Sequence, residues 1–311
     1  MTKLKTCLIT GGAGFIGSHL CRRLLAMGVQ IRIIDDLYTG CRDNIPPEIT
    51  FIESSICDSK ALHEAMCGCD TVFHLAARMQ LQQTIVDPAD CYQTNLVGTA
   101  QLVRCATELP NVFILFASSC SVYPLNPDGP LHEWMASNGE TPYSLSKLSG
   151  EQTLRIYQTL RGLRSCSLRC FNVYGPGQKV DSQYASVVPI FLRQALAGTP
   201  MTVYGSGEQS RDFIHVEDVV AAYVSAANRR VCGTFNIATG IGCSINELAA
   251  TISRLTGGAP VEHLPARKGD ASASIAEVAA ARGTLGFSAT ISLELGLRNY
   301  IKHLQRTEFT N

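Results

Sequence analysis

Three glycines near the start of the chain constrain its fold more than any other feature. Gly11, Gly14 and Gly17 lie between an apolar run, Thr6–Thr10, and a segment with helical periodicity, Phe15–Ala26. A strand that enters a glycine-rich turn and continues as a helix is typical of folds that bind phosphate groups. One glycine makes the tight turn, one lets a phosphate approach the backbone, and one lets helix and strand pack closely. The helix start then presents free N–H groups and the positive end of its dipole to the anion.

Apolar runs and helical patterns alternate through the first half of the chain. Further strands are predicted at residues 31–34, 50–52, 71–75 and 112–116, and further helices at residues 60–66 and 95–108. Short apolar strands joined by crossover helices indicate a doubly wound parallel sheet of the Rossmann type. The chain is therefore predicted to be an α/β protein.

After about residue 170 the pattern becomes less regular. Gly-Pro-Gly at 175–177 precedes a predicted helix at 189–197, and Gly-Ser-Gly at 205–207 marks a turn. We predict a Rossmann domain over residues 1–170 and a smaller, mixed α/β substrate-binding lobe over residues 171–311. Residues of about 211–240 are expected to return to the large domain.

An acidic residue follows the second predicted strand. Asp35 lies about 20 residues beyond Gly17, where a carboxylate accepts hydrogen bonds from both hydroxyls of a dinucleotide's ribose. The same carboxylate repels a 2′-phosphate, so the sequence favours NAD over NADP.

Tyr143 and Lys147 form a second candidate site. Thr141-Pro142 predicts a helix start, with threonine as N-cap and proline at the first helical position. Tyr143 and Lys147 are then one turn apart on the same face. A tyrosine with its ordinary pKa of about 10 is a poor base, but a neighbouring ammonium and a positive nicotinamide ring favour the phenolate. Tyr143 is therefore predicted to accept a hydroxyl proton while the carbon loses hydride to NAD.

These motifs resemble those of the extended short-chain dehydrogenase/reductase family, and specifically its nucleotide-sugar epimerases and dehydratases. The likeness extends over nearly the whole chain, through residues 11–17, 35–37, 74–77, 95, 118–123, 143–147, 169–175, 211–218 and 267–270. It implies that the cofactor contacts Gly11, Gly14, Phe15, Ile16, Gly17, Asp35, Asp36, Ile56, Leu75, Ala76, Ala77, Asn95, Tyr143 and Lys147. The chain departs from the family at Ser55, where an aspartate near the adenine is usual.

The resemblance also implies the residues that bind substrate. Asn172, Arg211 and Arg267 would hold the diphosphate of a nucleotide sugar, a role that suits the planar guanidinium group. Ser119 would hydrogen-bond with the hydroxyl at carbon 4. Ser274 falls at a position that limits the space beside carbon 2, where a tyrosine leaves room for a hydroxyl and a smaller residue admits an N-acetyl group. UDP-N-acetylhexosamine is therefore the favoured substrate.

The residues after Ser119 bear on the fate of the 4-keto sugar that oxidation produces. By resemblance these positions are small and inert in 4-epimerases, whereas 4,6-dehydratases carry Asp and Glu there. This chain has Cys120 and Ser121, which favours 4-epimerisation. The alternative is a dehydratase that eliminates water across carbons 5 and 6 with Cys120 as acid/base, since a thiol can move a proton when its surroundings tune it. A non-catalytic NAD-binding regulator is a more distant alternative, because Tyr143 and Lys147 are both present.

Composition excludes several other classes of protein. The 26 basic and 26 acidic residues balance, which argues against nucleic acid or a membrane surface as partner. No apolar run approaches the ~20 residues that span a bilayer, and the N-terminus lacks the layout of a secretory signal. The thirteen cysteines are an odd number without metal-site spacing, so we predict reduced thiols, no metal and a cytoplasmic location. The resemblance further implies a homodimer formed through the helices that begin near Asp90 and Tyr143.

Overall fold

A computed structural model describes residues 4–125, 127–135, 139–179, 186–266 and 272–308. Its strands are β1 (Thr6–Thr10), β2 (Gln30–Asp35), β3 (Thr50–Glu53), β4 (Thr71–His74), β5 (Phe113–Ser119), β6 (Arg164–Cys170), β7 (Asn172–Tyr174), β8 (Met201–Tyr204), β9 (Ser210–Arg211), β10 (Phe213–His215), β11 (Gly233–Ile237), β12 (Cys243–Ser244), β13 (Val261–Leu264) and β14 (Ala273–Ser274). Its helices are α1 (Phe15–Ala26), α2 (Ser59–Met66), α3 (Leu81–Val86), α4 (Pro88–Tyr92), α5 (Thr99–Glu108), α6 (Pro142–Arg161), α7 (Val187–Leu196), α8 (Val216–Arg229), α9 (Ile245–Thr256) and α10 (Leu293–Glu308).

Seven of the strands form one parallel sheet in the order β11-β6-β5-β4-β1-β2-β3. The chain builds outward from β1 to β3, then restarts at β4 on the other side of β1. This reversal creates a switch point between β1 and β4, and ligands of doubly wound sheets bind at the carboxyl ends of the strands beside such a point. The predicted Rossmann-type fold is confirmed.

Helices bury apolar side chains against both faces of this sheet. On one face Leu20 and Leu24 of α1 pack in the same core as Tyr223 of α8. On the other face Leu102 of α5 and Leu154 of α6 fill a second core. Each fully buried side chain of this size contributes about 1.5–3 kcal/mol through removal from water. None of the helices in the described part of the chain is long and apolar enough to cross a membrane.

The helix predicted at residues 95–108 differs from the one observed. A π-helical turn, Gln93–Gly98, joins α4 to α5, so one helical run extends from Pro88 to Glu108. Gly98 in this turn packs so closely on Ile56 that an added Cβ would lie 2.6 Å from its side chain. Single π-helical turns of this kind are frequently found at functional sites.

The second half of the chain contributes to two regions. β11 completes the large sheet beside β6, and α8 packs in the core that contains α1. A separate core is formed by α7, α9 and α10, whose buried residues include Phe191, Leu248 and Leu297. Short strand pairs, β10 with β7 and β13 with β8, and the three-stranded β12-β9-β14 sheet surround this core. The division of the chain into two domains at residue 170 stays a prediction.

Candidate active site

Two positions of the turn between β1 and α1 accept only glycine. Gly11 has a φ of +72°, and a Cβ added to it would lie 2.7 Å from the backbone nitrogen of Ala76. A Cβ on Gly17 would lie 2.3 Å from the carbonyl oxygen of Gly11. Gly11 thus makes the left-handed turn, and Gly17 lets α1 pack against it. Gly14 has extended backbone, and its role toward a phosphate stays a prediction.

The start of α1 has the features of an anion site. Gly14 is its N-cap, and no side chain caps the helix there. The N–H groups of a first helical turn lack partners within the helix, so they are available to an external acceptor. Phe15 and Ile16, which begin the helix, are partly exposed. The turn and the uncapped helix start therefore fit the pyrophosphate of a dinucleotide.

Asp35 is held in one orientation at the carboxyl end of β2. Its two carboxylate oxygens accept hydrogen bonds from the backbone N–H groups of Ala13, at 2.9 Å, and Leu37, at 2.8 Å. Burial raises the pKa of this carboxyl, and the two backbone hydrogen bonds oppose that shift. A fixed carboxylate beside the glycine turn suits the ribose hydroxyls of NAD. Asp36, the next residue, instead pairs with Arg78 at 2.9 Å.

Two residues near the predicted adenine position are engaged within the protein. The Ser55 hydroxyl accepts the N–H of Cys57 at 3.2 Å, so the serine at the family's aspartate position stabilises its own turn. Ile56 is only 3% exposed and belongs to the core under α2 and α5. Their contacts with a cofactor stay predictions.

The segment after β4 passes directly over the glycine turn. Leu75, Ala76 and Ala77 are half-buried there, and the Ala76 N–H donates to the Thr10 hydroxyl at 3.2 Å. Asn95 anchors the end of this segment, since its amide bonds both the N–H and the carbonyl of Arg78, at 2.8 and 3.0 Å. The side chain of Asn95 is thus committed to the protein backbone, and its contact with NAD stays a prediction.

The catalytic helix begins as predicted. Thr141 caps α6 by accepting the N–H of Ser144 at 3.1 Å, while the Ser144 hydroxyl accepts the N–H of Thr141 at 2.9 Å. Pro142 occupies the first helical position. Tyr143 and Lys147 lie on the inward side of this helix, with Lys147 Nζ 5.7 Å from the centroid of the Tyr143 ring.

Burial has the largest effect on the pKa values of both Tyr143 and Lys147. It lowers the pKa of the Lys147 ammonium to about 8, against the opposing influence of Cys170, Cys91 and Glu151. It also raises the pKa of the Tyr143 phenol, and hydrogen bonding to Ser119 only partly offsets this. We expected Lys147 to favour the phenolate, but in the chain alone the desolvation effect is larger.

Ser119 and Cys120 stand at the end of β5, where a 3-10 helix, Cys120–Val122, begins. The Ser119 hydroxyl accepts the N–H of Ser121 at 3.1 Å. Burial raises the pKa of the Cys120 thiol to about 11, while hydrogen bonding to Ser274 and the charge of Arg211 oppose the shift. The thiol is therefore protonated at neutral pH and lies next to residues of the predicted substrate site.

One stretch of chain brings the substrate residues together. In the pairing of β14 with β9, Ser274 lies opposite Arg211. Two residues further along, Phe213 of β10 lies opposite Asn172 of β7. Asp212, between them, is fully buried and accepts the N–H groups of Thr239, Gly240 and Ala276, which fixes this strand.

A cavity of about 410 Å³ lies beside these strands, which is large enough for a nucleotide-sized ligand. It is lined by Asn172, Arg211, Thr202, Tyr204, Gln209 and Phe213, among others. The side-chain oxygen of Asn172 is buried without a hydrogen-bond partner in the described structure. A buried polar atom of this kind points to a ligand that supplies the missing donor. Arg267, the other predicted diphosphate ligand, lies outside the described residues.

A buried ion pair beside the catalytic helix was not assigned a role from the sequence. Arg169 of β6 forms two hydrogen bonds to the Glu151 carboxylate, at 2.9 and 2.7 Å. The Ser118 hydroxyl of β5 bonds the same carboxylate, so Glu151 ties α6 to two strands. The available signals were an arginine inside an apolar strand and an acid one turn beyond Lys147.

The cysteines offer no alternative centre. All thirteen are free thiols. Among the residues that the structure describes, no three His, Cys, Asp or Glu side chains are grouped so that they would hold a metal ion.

Comparison with known proteins agrees with this geometry. Residues 7–238 match the model of the NAD dependent epimerase/dehydratase family. A UDP-N-acetyl-α-D-glucosaminuronate decarboxylase from Bacillus cytotoxicus is 36% identical over 274 residues, which cover 85% of this chain and 84% of that protein. A UDP-glucose 4-epimerase from Mycolicibacterium smegmatis is 35% identical over 306 residues, covering 95% and 97%.

A similar solved structure is that of a UDP-N-acetylglucosamine 4-epimerase from Methanobrevibacter ruminantium, in complex with UDP-N-acetylmuramic acid. Its TM-score is 0.94 at 33% identity, and the match covers 98% of this chain and 100% of that one. The resemblance drawn from the sequence motifs is thereby confirmed. The family match over most of the chain and relatives above 30% identity along its length show that this protein belongs to the NAD-dependent epimerase/dehydratase family, whose members act on nucleotide sugars.

Proposed function

We propose that this protein is a 4-epimerase of UDP-N-acetylhexosamines. The observation that carries the proposal is the placement of two small side chains: Ser274 lies opposite Arg211 in the pairing of β14 with β9, and Cys120 follows Ser119 at the end of β5. Two small side chains without a carboxylate line the place where a dehydratase needs an acid and a base. Serine at position 274 is also smaller than the tyrosine that would leave room for a hydroxyl only, which favours a sugar with an N-acetyl group.

The protein's own residues bind substrate and move one proton. Asn172 and Arg211 hold the diphosphate beside the cavity, so the sugar reaches toward Ser119 and Tyr143. Tyr143 accepts the proton of the hydroxyl at carbon 4, and Ser119 hydrogen-bonds with the same oxygen. NAD held by the glycine turn and Asp35 would supply the hydride acceptor for carbon 4 and, in its reduced form, the hydride donor for the opposite face of the sugar. Tyr143 then gives its proton back to the oxygen, which leaves the enzyme unchanged.

For the 4-keto sugar to rotate and present its opposite face, the nucleotide must be held firmly and the sugar loosely. Arg211 is supported by the Asp212 anchor, and the cavity offers aromatic and amide side chains, Tyr204 and Gln209, for the nucleotide. By contrast, the small residues Cys120 and Ser274 give a sugar few strong contacts. These features support rotation of the sugar about its phosphate linkage while the diphosphate stays bound.

Neither of the residues directly after Ser119, Cys120 and Ser121, offers a carboxylate base for the dehydratase alternative. Elimination across carbons 5 and 6 needs removal of the proton at carbon 5 as well as protonation of the leaving hydroxyl. Cys120, with a pKa of about 11, can donate a proton at neutral pH but is too weakly acidic to serve as a thiolate base. Tyr143 already holds the proton it took from the substrate. Because neither Cys120 nor Tyr143 can take the proton from carbon 5, these residues favour epimerisation over dehydration.

Decarboxylation of a UDP-linked uronic acid is the second candidate function, suggested by the similarity to a decarboxylase. A 4-keto sugar with a carboxylate at carbon 6 is a β-keto acid, which loses carbon dioxide without a base at carbon 5. A site with neutral residues after Ser119 is compatible with that chemistry. Substrate choice therefore separates the two candidates: a UDP-N-acetylhexosamine for epimerisation and its uronic acid for decarboxylation.

The homodimer expected from the resemblance is part of the same proposal. Ile156 and Leu160 lie one turn apart on α6 and are 52% and 69% exposed. Val97, in the neighbouring π-helical turn, is 41% exposed. Apolar side chains on adjacent helices at this spacing support a helical interface with a second copy of the chain.

The deciding experiment incubates the purified protein with UDP-N-acetylglucosamine and, separately, with its uronic acid, without added cofactor. Products are analysed by mass spectrometry and proton NMR. An unchanged mass with a galacto-configured sugar is the expected result. A product lighter by one water would support the dehydratase. Loss of carbon dioxide from the uronic acid, with no conversion of UDP-N-acetylglucosamine, would support the decarboxylase. Tyr143→Phe is the matched control, since it keeps the ring and removes the proton acceptor; conversion at the wild-type rate by this variant would overturn the mechanism.

A further inference from the structure

We infer that Arg78 is a cofactor-retaining residue, whose ion pair with Asp36 closes over the groove for NAD and slows its release. The inference rests on the proposed function, since an enzyme that restores its cofactor in every turnover benefits from keeping it bound. Arg78 and Asp36 together with Tyr38 and Asp90 are called the clamp below.

The sheet topology shows why this contact must cross the groove. Asp36 follows β2 and Arg78 follows β4, while β1 lies between those two strands. The carboxyl end of β1 carries the glycine turn. An ion pair between Arg78 Nη2 and Asp36 Oδ2, 2.9 Å long, therefore bridges from one side of the turn to the other. The ion pair therefore spans the carboxyl end of β1, where the glycine turn would hold a pyrophosphate.

The guanidinium of Arg78 is held on several sides. Its Nε donates to Asp90 at 2.9 Å, and its Cζ lies 3.8 Å from the centroid of the Tyr38 ring. The arginine side chain is only 15% exposed. A single exposed ion pair contributes little, but two carboxylates and an aromatic face around a half-buried guanidinium restrict its motion and strengthen each contact.

Each side of the clamp is a unit of several residues. On the β2 side, Tyr38 donates its backbone N–H to Asp36 at 3.1 Å, so acid and ring are coupled. On the β4 side, Asn95 bonds the backbone N–H and carbonyl of Arg78. The opening of the clamp is therefore a separation of these two units rather than the rotation of one side chain.

The β4 side is also anchored to the catalytic helix. Asn95 donates to the Ser146 hydroxyl at 2.9 Å, and Ser146 donates to the carbonyl of Tyr143 at 2.7 Å. The backbone of Arg78 thus shares one hydrogen-bond chain with the residue that moves the substrate proton. Movement on opening is expected at residues 36–38, which leaves the catalytic helix in place.

The test measures the dissociation rate of labelled NAD from the loaded protein after a chase with excess unlabelled NAD. The variants are Arg78→Gln, which removes the charge, and Arg78→Lys, which keeps the charge without the planar fork. Arg254→Gln is the matched control, because Arg254 of α9 forms a 2.9 Å ion pair with Glu294 of α10, away from the glycine turn. Arg78→Gln is expected to release NAD about tenfold faster or more, Arg78→Lys at an intermediate rate, and Arg254→Gln within about twofold of wild type.

Salt dependence separates loss of the ion pair from general damage. Raising ionic strength to about 1 M shortens the screening length to about 3 Å, which should speed release from wild type and from Arg254→Gln. Release from Arg78→Gln should respond much less. If Arg78→Gln does not fold, Arg78→Lys decides the question through its own rate and salt response.

Two negative outcomes have different meanings. Equal dissociation rates for wild type and Arg78 variants, with normal epimerisation, would overturn the clamp and leave the proposed function standing. A wild-type protein that binds no NAD at all would overturn both.

Discussion

Ser274 lies opposite Arg211 in the parallel pairing of β14 with β9. The residue predicted to limit space beside the sugar therefore neighbours the residue predicted to hold the diphosphate. Cys120, at the end of β5, approaches the same point, since Ser274 and Arg211 both influence the pKa of its thiol. Three elements that are far apart in the sequence thus meet around the predicted position of the sugar.

Enlarging Ser274 should change which sugar is accepted. Ser274→Tyr places a ring in the space that an N-acetyl group needs, so kcat/KM for UDP-N-acetylglucosamine should fall by about 100-fold. The value for UDP-glucose should fall much less, because its hydroxyl is smaller. Steady-state kinetics with both substrates measures the ratio. Ser274→Ala, which adds no bulk, should leave the ratio within a few-fold. A parallel loss on both sugars in Ser274→Tyr would contradict the assignment of this position.

Removing one member of the Arg169–Glu151 pair should destabilise the protein strongly. Arg169→Met leaves the Glu151 carboxylate, 7% exposed, without its cation, and such uncompensated buried charges cost about 3–5 kcal/mol. Urea unfolding of the single variant measures this loss in the free energy of unfolding.

The double variant Arg169→Met with Glu151→Leu tests the cause. Because both charges are then absent, most of the lost stability should return. A double variant as unstable as the single one would mean that Arg169 acts through packing, for instance through its contact with the Tyr123 ring at 4.8 Å, rather than through the ion pair.

Lys147 should make stability depend on pH. Its pKa is lowered from 10.5 to about 8 in the folded chain, so between these values the unfolded state binds more protons and the free energy of unfolding rises with pH. The penalty for burying the ammonium, about 3 kcal/mol at most, is fully present below pH 8 and disappears as pH rises toward 10.5.

Lys147→Met removes this titration and isolates it from other groups. The free energy of unfolding of the variant minus that of wild type should be largest near pH 7. This difference should decrease as pH rises. Urea unfolding of both proteins without NAD, at several values between about pH 7 and pH 9.5, gives the difference directly. A difference that does not vary with pH would show that the lysine is not desolvated as described.

Local signals in the sequence predicted the elements that form the glycine turn and the helix that carries Tyr143 and Lys147. The bounds of α1 and the capped start of α6 follow from glycine, threonine and proline positions and from helical periodicity, all of which act over a few residues. The clamp and the Arg169–Glu151 pair could not be predicted in this way. Arg78 meets Asp36 and Asp90 only because β4 and β2 flank β1, and Glu151 meets Arg169 only because α6 packs over β5 and β6. The π-helical turn before α5 was missed for the same reason, since Asn95 takes its partners from distant segments.

A charge on the exposed face of α6 should prevent association of two copies. Leu160 is 69% exposed, and a buried glutamate without a partner at that position would oppose a helical interface. Leu160→Glu should therefore shift the protein from dimer to monomer in sedimentation velocity experiments, with the fold retained by circular dichroism. Ile241→Glu is the matched control, because Ile241 is 71% exposed but lies away from α6, in the turn between β11 and β12. A monomeric wild-type protein, or equal sedimentation of wild type and Leu160→Glu as dimers, would show that this face is not the interface.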